Sequence, residues 1–184
     1  MDPARPTTTR AAFVARAAGA PPGTRVPVVA RLEGAPWPAY RRARDDAPAF
    51  YYETTGGRDG WGYFGVDPEA FLTVGPDDGP ALDALDDLLA GEALARGDCP
   101  IPYPGGLFGW LSYDVARDLE SLPNEAAADR DLPRLQVGTY PCVAAWRDPH
   151  AGEPLYLVAA PRVEDPDAAY DRGRRWLDAL AARI

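Results

Sequence analysis

Apolar and polar positions alternate along this chain in two distinct periods. In residues 79–95, GPALDALDDLLAGEALA, leucines 82, 85 and 89 recur at helical spacing, with Asp83, Asp86 and Asp87 on the opposite side. That pattern predicts an amphipathic helix with Pro80 at its first position. Near the end, Asp165 and Pro166 open a second helix whose stripe is Tyr170, Gly173, Leu177, Leu180 and Ile184. Residues 8–18 predict a shorter helix capped by Thr8 or Thr9 and stopped at Gly19, and residues 36–46 another with proline in its first turn. Between them lie short β-branched or aromatic runs at 25–32, 49–55, 60–66, 70–75, 107–114, 134–148 and 154–162. These predict strands, with Pro141 marking an edge or a bulge inside 134–148. One or two helical turns are expected at 115–123.

Runs 49–55 and 60–66 flank GGRDG, whose residues tolerate positive φ, and therefore predict a hairpin. Most strands follow one another through tight turns rather than through helices. The expected fold is α+β: antiparallel sheets with helices packed on one side, in a single domain over 1–184.

Composition narrows the function. The net charge is -9, from 28 acidic and 19 basic residues, and every basic residue is arginine. Without lysine there is no P-loop phosphate ligand, Schiff base or lysine nucleophile. The acidic balance argues against nucleic acid. Acid richness without lysine fits a high-salt cytoplasm, where screening tolerates such charge, or a GC-rich genome. Cys99 and Cys142 are read as separate thiols. No run reaches membrane-spanning length and no signal core opens the chain, so a cytoplasmic location is expected.

Candidate chemistry is sparse. The lone His150 sits in a turn, DPHAG, a poor place for a catalytic base, and no serine has a histidine partner. The acidic run 83–87 reads as a solvated helix face rather than a metal site. No catalytic residue and no metal ligand is assigned. Glu53 has two readings. It is a solvated carboxylate at a strand end, or it receives the ammonium of an amino acid whose ring lies among Tyr52, Trp61, Tyr63 and Phe64. Strand alternation separates Tyr51 and Glu53 from Phe50, Tyr52 and Thr54, and so opposes the second reading unless the strand bulges. In PYPGGLFGWLSYD (102–114), Gly105 and Gly106 permit a sharp turn, and Gly109 leaves room for a close backbone or ring.

These motifs, from about residue 25 to the end, resemble the N-terminal region of component I of anthranilate synthase and aminodeoxychorismate synthase. That family has a Leu-Leu-Glu-Ser-like strand before a Gly-x-Asp-Pro turn, matched by 51–54 and by Gly65 to Pro68. Its Pro-x-Pro-Gly-Gly-x-x-Gly-x-x-x-Tyr-Asp run is matched at Pro102, Pro104, Gly105, Gly106, Gly109, Tyr113 and Asp114, followed by Leu122-Pro123. The resemblance implies a scaffold for chorismate amination. It implies partners: a C-terminal half that binds chorismate and Mg²⁺, and a glutamine amidotransferase subunit that supplies ammonia. It implies no cofactor in this region itself and no turnover by it alone. Glu53 and Thr54 correspond to an effector-binding Glu-Ser pair in tryptophan-regulated members. Bulky Tyr51 and Tyr52, and loss of a basic residue near 60–63, lean the expectation toward the aminodeoxychorismate, folate-precursor branch. The alternatives are an anthranilate synthase portion, or a stand-alone module that binds an aromatic amino acid.

Overall fold

The computed structural model describes residues 4–53, 60–122, 131–147 and 153–184. In chain order the elements are β1 (Arg5–Pro6), α1 (Arg10–Ala18), β2 (Val28–Leu32), α2 (Pro36–Ala43), β3 (Phe50–Tyr52), β4 (Trp61–Gly65) and β5 (Ala70–Val74). There follow α3 (Ala81–Leu89), β6 (Gly106–Leu111), a 3-10 helix (Tyr113–Asp118), β7 (Leu135–Tyr140), β8 (Cys142–Arg147), β9 (Leu155–Ala159) and α4 (Pro166–Arg183). The strands form a six-stranded sheet, ordered β1-β2-β9-β8-β4-β3, and a three-stranded sheet, β5-β7-β6. Every pairing between these strands is antiparallel, as the tight turns predict, and an isolated parallel bridge joins Arg25 to Leu94. The two-residue β1, which no periodicity marks, pairs with β2.

The run 134–148, expected as one strand, is divided at Pro141. β7 is central in the small sheet, and β8 lies inside the large one. Proline has no N–H to give to a ladder, and the Pro141 carbonyl accepts from the Ala160 N–H at 2.7 Å. The residue is thus the junction where the chain changes sheets.

Helices α1, α2 and α4 cover one face of the large sheet, burying Phe13, Tyr40, Trp146, Leu157 and Leu177. Gly62, opposite Trp146, makes room for that indole, since a Cβ there would stand 2.1 Å from the ring. The stripe of α4 is buried throughout, and Asp165 caps it by accepting from the Ala168 N–H at 2.7 Å. Thr9 caps α1 in the same way, accepting from Ala12 at 3.2 Å. On the other face of the large sheet, Val29, Phe50, Tyr63, Val143 and Val158 pack with Cys99, Ile101 and Tyr140. A third cluster joins Val74, Leu135 and Val137 of the small sheet to α3 and Val115.

The helix expected over 79–95 stops at Leu89. Gly91 adopts φ 75°, and residues 93–95 run beside Arg25, whose N–H donates to the Ala93 carbonyl at 2.8 Å. Strand-like pairing there replaces the last helical turn. The start of α3 is capped from far along the chain: Asp118 accepts from the Ala81 and Leu82 N–H groups at 2.6 and 3.2 Å. Arg134 holds the same carboxylate at 3.0 Å. Desolvation pushes the Asp118 carboxyl upward, but those amides and Arg134 outweigh it and leave it below its ordinary value. Among the described residues, no helix is long and apolar enough to cross a membrane.

Candidate functional site

The aromatic hairpin keeps the alternation that its sequence predicts. Phe50 stacks on Phe108, with centroids 3.7 Å apart, and Tyr52 meets Phe108 edge-on at 5.9 Å. Tyr51 points the other way, to Trp37 at 5.1 Å and Trp146 at 5.2 Å. Glu53 follows Tyr51: its exposed carboxylate accepts from the Tyr51 hydroxyl at 3.3 Å. Burial, then the Glu53 charge, pushes that phenol up to about 12, so it remains a donor. The rings proposed to receive a ligand beside Glu53 are split by the sheet. Tyr52 and Tyr63 are paired neighbours on one face, with Trp61 beside Tyr63, while Phe64 packs among the helices with Tyr40. Glu53 instead adjoins Tyr51, whose ring packs edge-on against the exposed Trp37. Thr54 and His150 lie outside the described residues.

The glycine-rich motif splits into two places. Pro104 is buried, and Gly105 and Gly106 turn the chain into β6 with φ 120° and 136°. A side chain at Gly105 would meet the Tyr140 carbonyl at 2.7 Å. Gly109 faces Val137 across the ladder, and a Cβ there would lie 2.0 Å from the Gln136 carbonyl oxygen. The expected close approach is therefore by backbone. Tyr113 and Asp114 lie beyond the strand in the 3-10 helix. Tyr113 is 88% exposed, and Asp114 accepts from Arg117 Nε at 3.1 Å.

The structure adds a charged cluster that no local pattern announces. Arg25, only 7% exposed, donates from Nε to Glu92 Oε2 at 2.9 Å and from Nη2 to Glu69 Oε2 at 2.5 Å. Its Nη1 reaches the Ala160 carbonyl at 3.1 Å, and Arg162 closes on the other side of Glu92. Arg25 precedes β2 of the large sheet, whereas Glu69 and Glu92 flank β5 and α3 of the small one. The cluster thus ties the two sheets together. It also borders a cleft of about 140 Å³, walled by Leu89, Leu94, Leu107, Gly105 and Gly106. The hydrogen bond from Arg25 holds the Glu92 carboxyl below its ordinary value, against desolvation. All three guanidinium nitrogens of Arg25 are engaged, so the cluster serves as a joint rather than as a ligand cradle.

Cys99 and Cys142 are free, and burial pushes both thiols upward, Cys142 to about 12. Neither supplies a thiolate near neutral pH. Among the described residues, no three His, Cys, Asp or Glu side chains converge as a metal would require.

No family model matches the chain. It is, however, 50% identical over 192 aligned residues, 98% of its length, to an anthranilate synthase component 1 of Haloarcula marismortui. A second component 1 of that organism is 52% identical over 174 residues, 91% of this chain. Aminodeoxychorismate synthase component 1 of Salmonella typhimurium is 34% identical over 85 residues, 46% of the chain. The chain spans only 38%, 35% and 17% of those proteins' respective lengths. With the glutamate hairpin, the glycine-rich turn and the antiparallel α+β fold, this similarity shows that the chain belongs to the N-terminal region of the anthranilate/aminodeoxychorismate synthase component I family.

Proposed function

We propose that this chain is the N-terminal scaffold of an anthranilate-forming component I, working with a chorismate-binding portion that corresponds to the part of the relatives outside the match. The carrying observation is the 50% identity, over 98% of the chain, to a component 1 of which it spans 38%. The lean toward the aminodeoxychorismate branch gives way, because that match is weaker and covers under half of the chain. The bulky residues behind that lean have a packing explanation. Tyr51 fills the space between Trp37 and Trp146, and Tyr52 lies against Phe108. They reflect how the hairpin packs and not which product is made.

In this reading the catalytic groups and Mg²⁺ belong to the companion portion, and ammonia comes from a glutamine amidotransferase subunit. Mixed with chorismate, ammonium and Mg²⁺, the chain alone is expected to form no fluorescent anthranilate. Co-produced with the part of the Haloarcula protein that it does not match, it is expected to form anthranilate. Turnover by the chain alone would refute the scaffold role. Release of aminodeoxychorismate by the pair would refute the branch.

A second reading is favoured by the exposed Glu53 carboxylate beside Tyr51, whose ring packs against Trp37: an aromatic amino acid effector held there. Millimolar tryptophan should then raise the melting temperature of the assembled pair, and Glu53→Ala should abolish the rise. A flat titration of the wild-type pair would remove this reading.

A further inference from the structure

The three-stranded sheet is covered on one side by α3 and the 3-10 helix, and on the other the large sheet reaches only part of it, where Phe108 stacks on Phe50 of β3. Leu72 and Val74 of β5, Leu135 and Val137 of β7 and Leu107 of β6 face α3 and the 3-10 helix. Ladder register sets the opposite face. Phe71, Gly138 and Phe108 form one row, and Thr73, Gln136 and Trp110 form the next. Tyr140 leans its ring over Gly138, where a Cβ would lie 2.7 Å from it, and Tyr52 adjoins Phe108 at the edge of the large sheet. Phe71 is 45% exposed, Trp110 40% and Tyr52 48%.

Within β5, β6 and β7 no position on this face is charged, although 26% of the chain is charged and its net charge is -9. A solvated sheet face in so acidic a protein would carry carboxylates, as the outer side of α3 does with Asp83, Asp86 and Asp87. A contiguous aromatic face without charge marks an interaction surface.

We infer that the open part of this face, centred on Phe71 and Trp110 and extended by Tyr52, is where the remainder of a component I protein packs. The inference rests on the proposed scaffold role. The occupant follows from length: the Haloarcula relatives have nearly two-thirds of their residues outside the match, enough for a further domain with its own apolar face. The surface requires an uncharged, apolar partner face that meets Phe71 and Trp110, because Gly138 is already buried beneath Tyr140.

The test co-expresses the chain with the unmatched part of the Haloarcula component 1 and purifies through a tag on the chain. The wild type should copurify at one to one. The double variant Phe71→Glu, Trp110→Glu should lose the companion while keeping the circular dichroism and melt of the isolated chain. A second measurement avoids substitution. Hydroxyl-radical labelling of Tyr52, Phe71 and Trp110 should fall severalfold on assembly, while Trp37, on α2 behind the large sheet, keeps its labelling. If the wild type copurifies and the glutamates or the labelling make no difference, the surface assignment is wrong and the scaffold role stands. If the wild type never copurifies, the scaffold role falls, and this inference with it. If the chain alone forms a dimer that the glutamates dissociate, the occupant is a second copy and the inference is overturned.

Discussion

Replacing Gly109 with alanine should break the register of the three-stranded sheet and lower the melting temperature by roughly 6–12 °C, corresponding to a cost of about 3 kcal/mol. The added Cβ would stand 2.0 Å from the Gln136 carbonyl oxygen and 2.6 Å from the Val137 Cα. Both obstacles are backbone of the central strand, which is tied on its other side to β5. A flexible side chain could swing aside, but a paired strand moves only by giving up ladder hydrogen bonds. Overpacking at such a site belongs among the large single-residue effects. Gly79→Ala is the matched control, because a Cβ there would meet nothing within 4 Å and the backbone is not left-handed. That variant should melt within a degree or two of wild type. Since β6 carries Phe108 and Trp110, Gly109→Ala should also shift the tryptophan emission. An unchanged melt and spectrum would mean that β6 is not seated so closely on β7.

Arg25→Ala should cost a similar amount, about 3 kcal/mol, and should part the two sheets where they join. The arginine is buried, and its loss leaves Glu92, with a side chain 19% exposed, relying on Arg162 alone. Glu69, at 45%, is exposed enough to recover hydration, which places the expected cost at the lower end for breaking a buried pair. The linkage has a definite sign. Glu92 titrates below its ordinary value when folded, so its contribution is fully present above the unfolded glutamate range, about pH 4.3. That contribution disappears as pH falls through the depressed folded value. Many other carboxylates titrate nearby, so the informative quantity is the wild-type melting temperature minus that of Glu92→Gln. This difference should be constant near neutrality and shrink on acidification below about pH 4.3. A difference independent of pH from neutrality to about pH 3 would show that the ion cluster does not hold the joint. Salt should reduce it little, since a buried pair is only weakly screened.

Much of the fold was legible in residue order because the responsible forces are local. The stripe of α4 and its Asp165 cap involve neighbours within one or two helical turns. The alternation of Phe50, Tyr51 and Tyr52 follows from the pleat alone, and it separates Glu53 from Tyr52 as the structure does. The motif from Pro102 to Asp114 carries the family resemblance, and its glycines occupy the turn and the close contact expected of them. Other features escape a sequence reading because their partners are remote. The carboxylates that satisfy Arg25 are 44 and 67 residues away. The cap of α3 comes from 37 residues downstream, so nothing beside Pro80 announces it. The same helix ends earlier than its periodicity predicts, because residues 93–95 find better hydrogen-bond partners beside Arg25 than in another helical turn.

The amino-acid order by itself determined the antiparallel α+β class, the amphipathic helices, the two faces of the hairpin and the component I resemblance. The first three rest on periodicity, capping and turn chemistry within a short window, and the resemblance rests on short motifs. Only the tertiary structure decided that the chain switches sheets at Pro141, that Arg25 joins the two layers and that Phe71, Trp110 and Tyr52 stay exposed. Those outcomes depend on which distant strands and carboxylates compete for the same backbone and charge, and a one-dimensional pattern does not encode that competition.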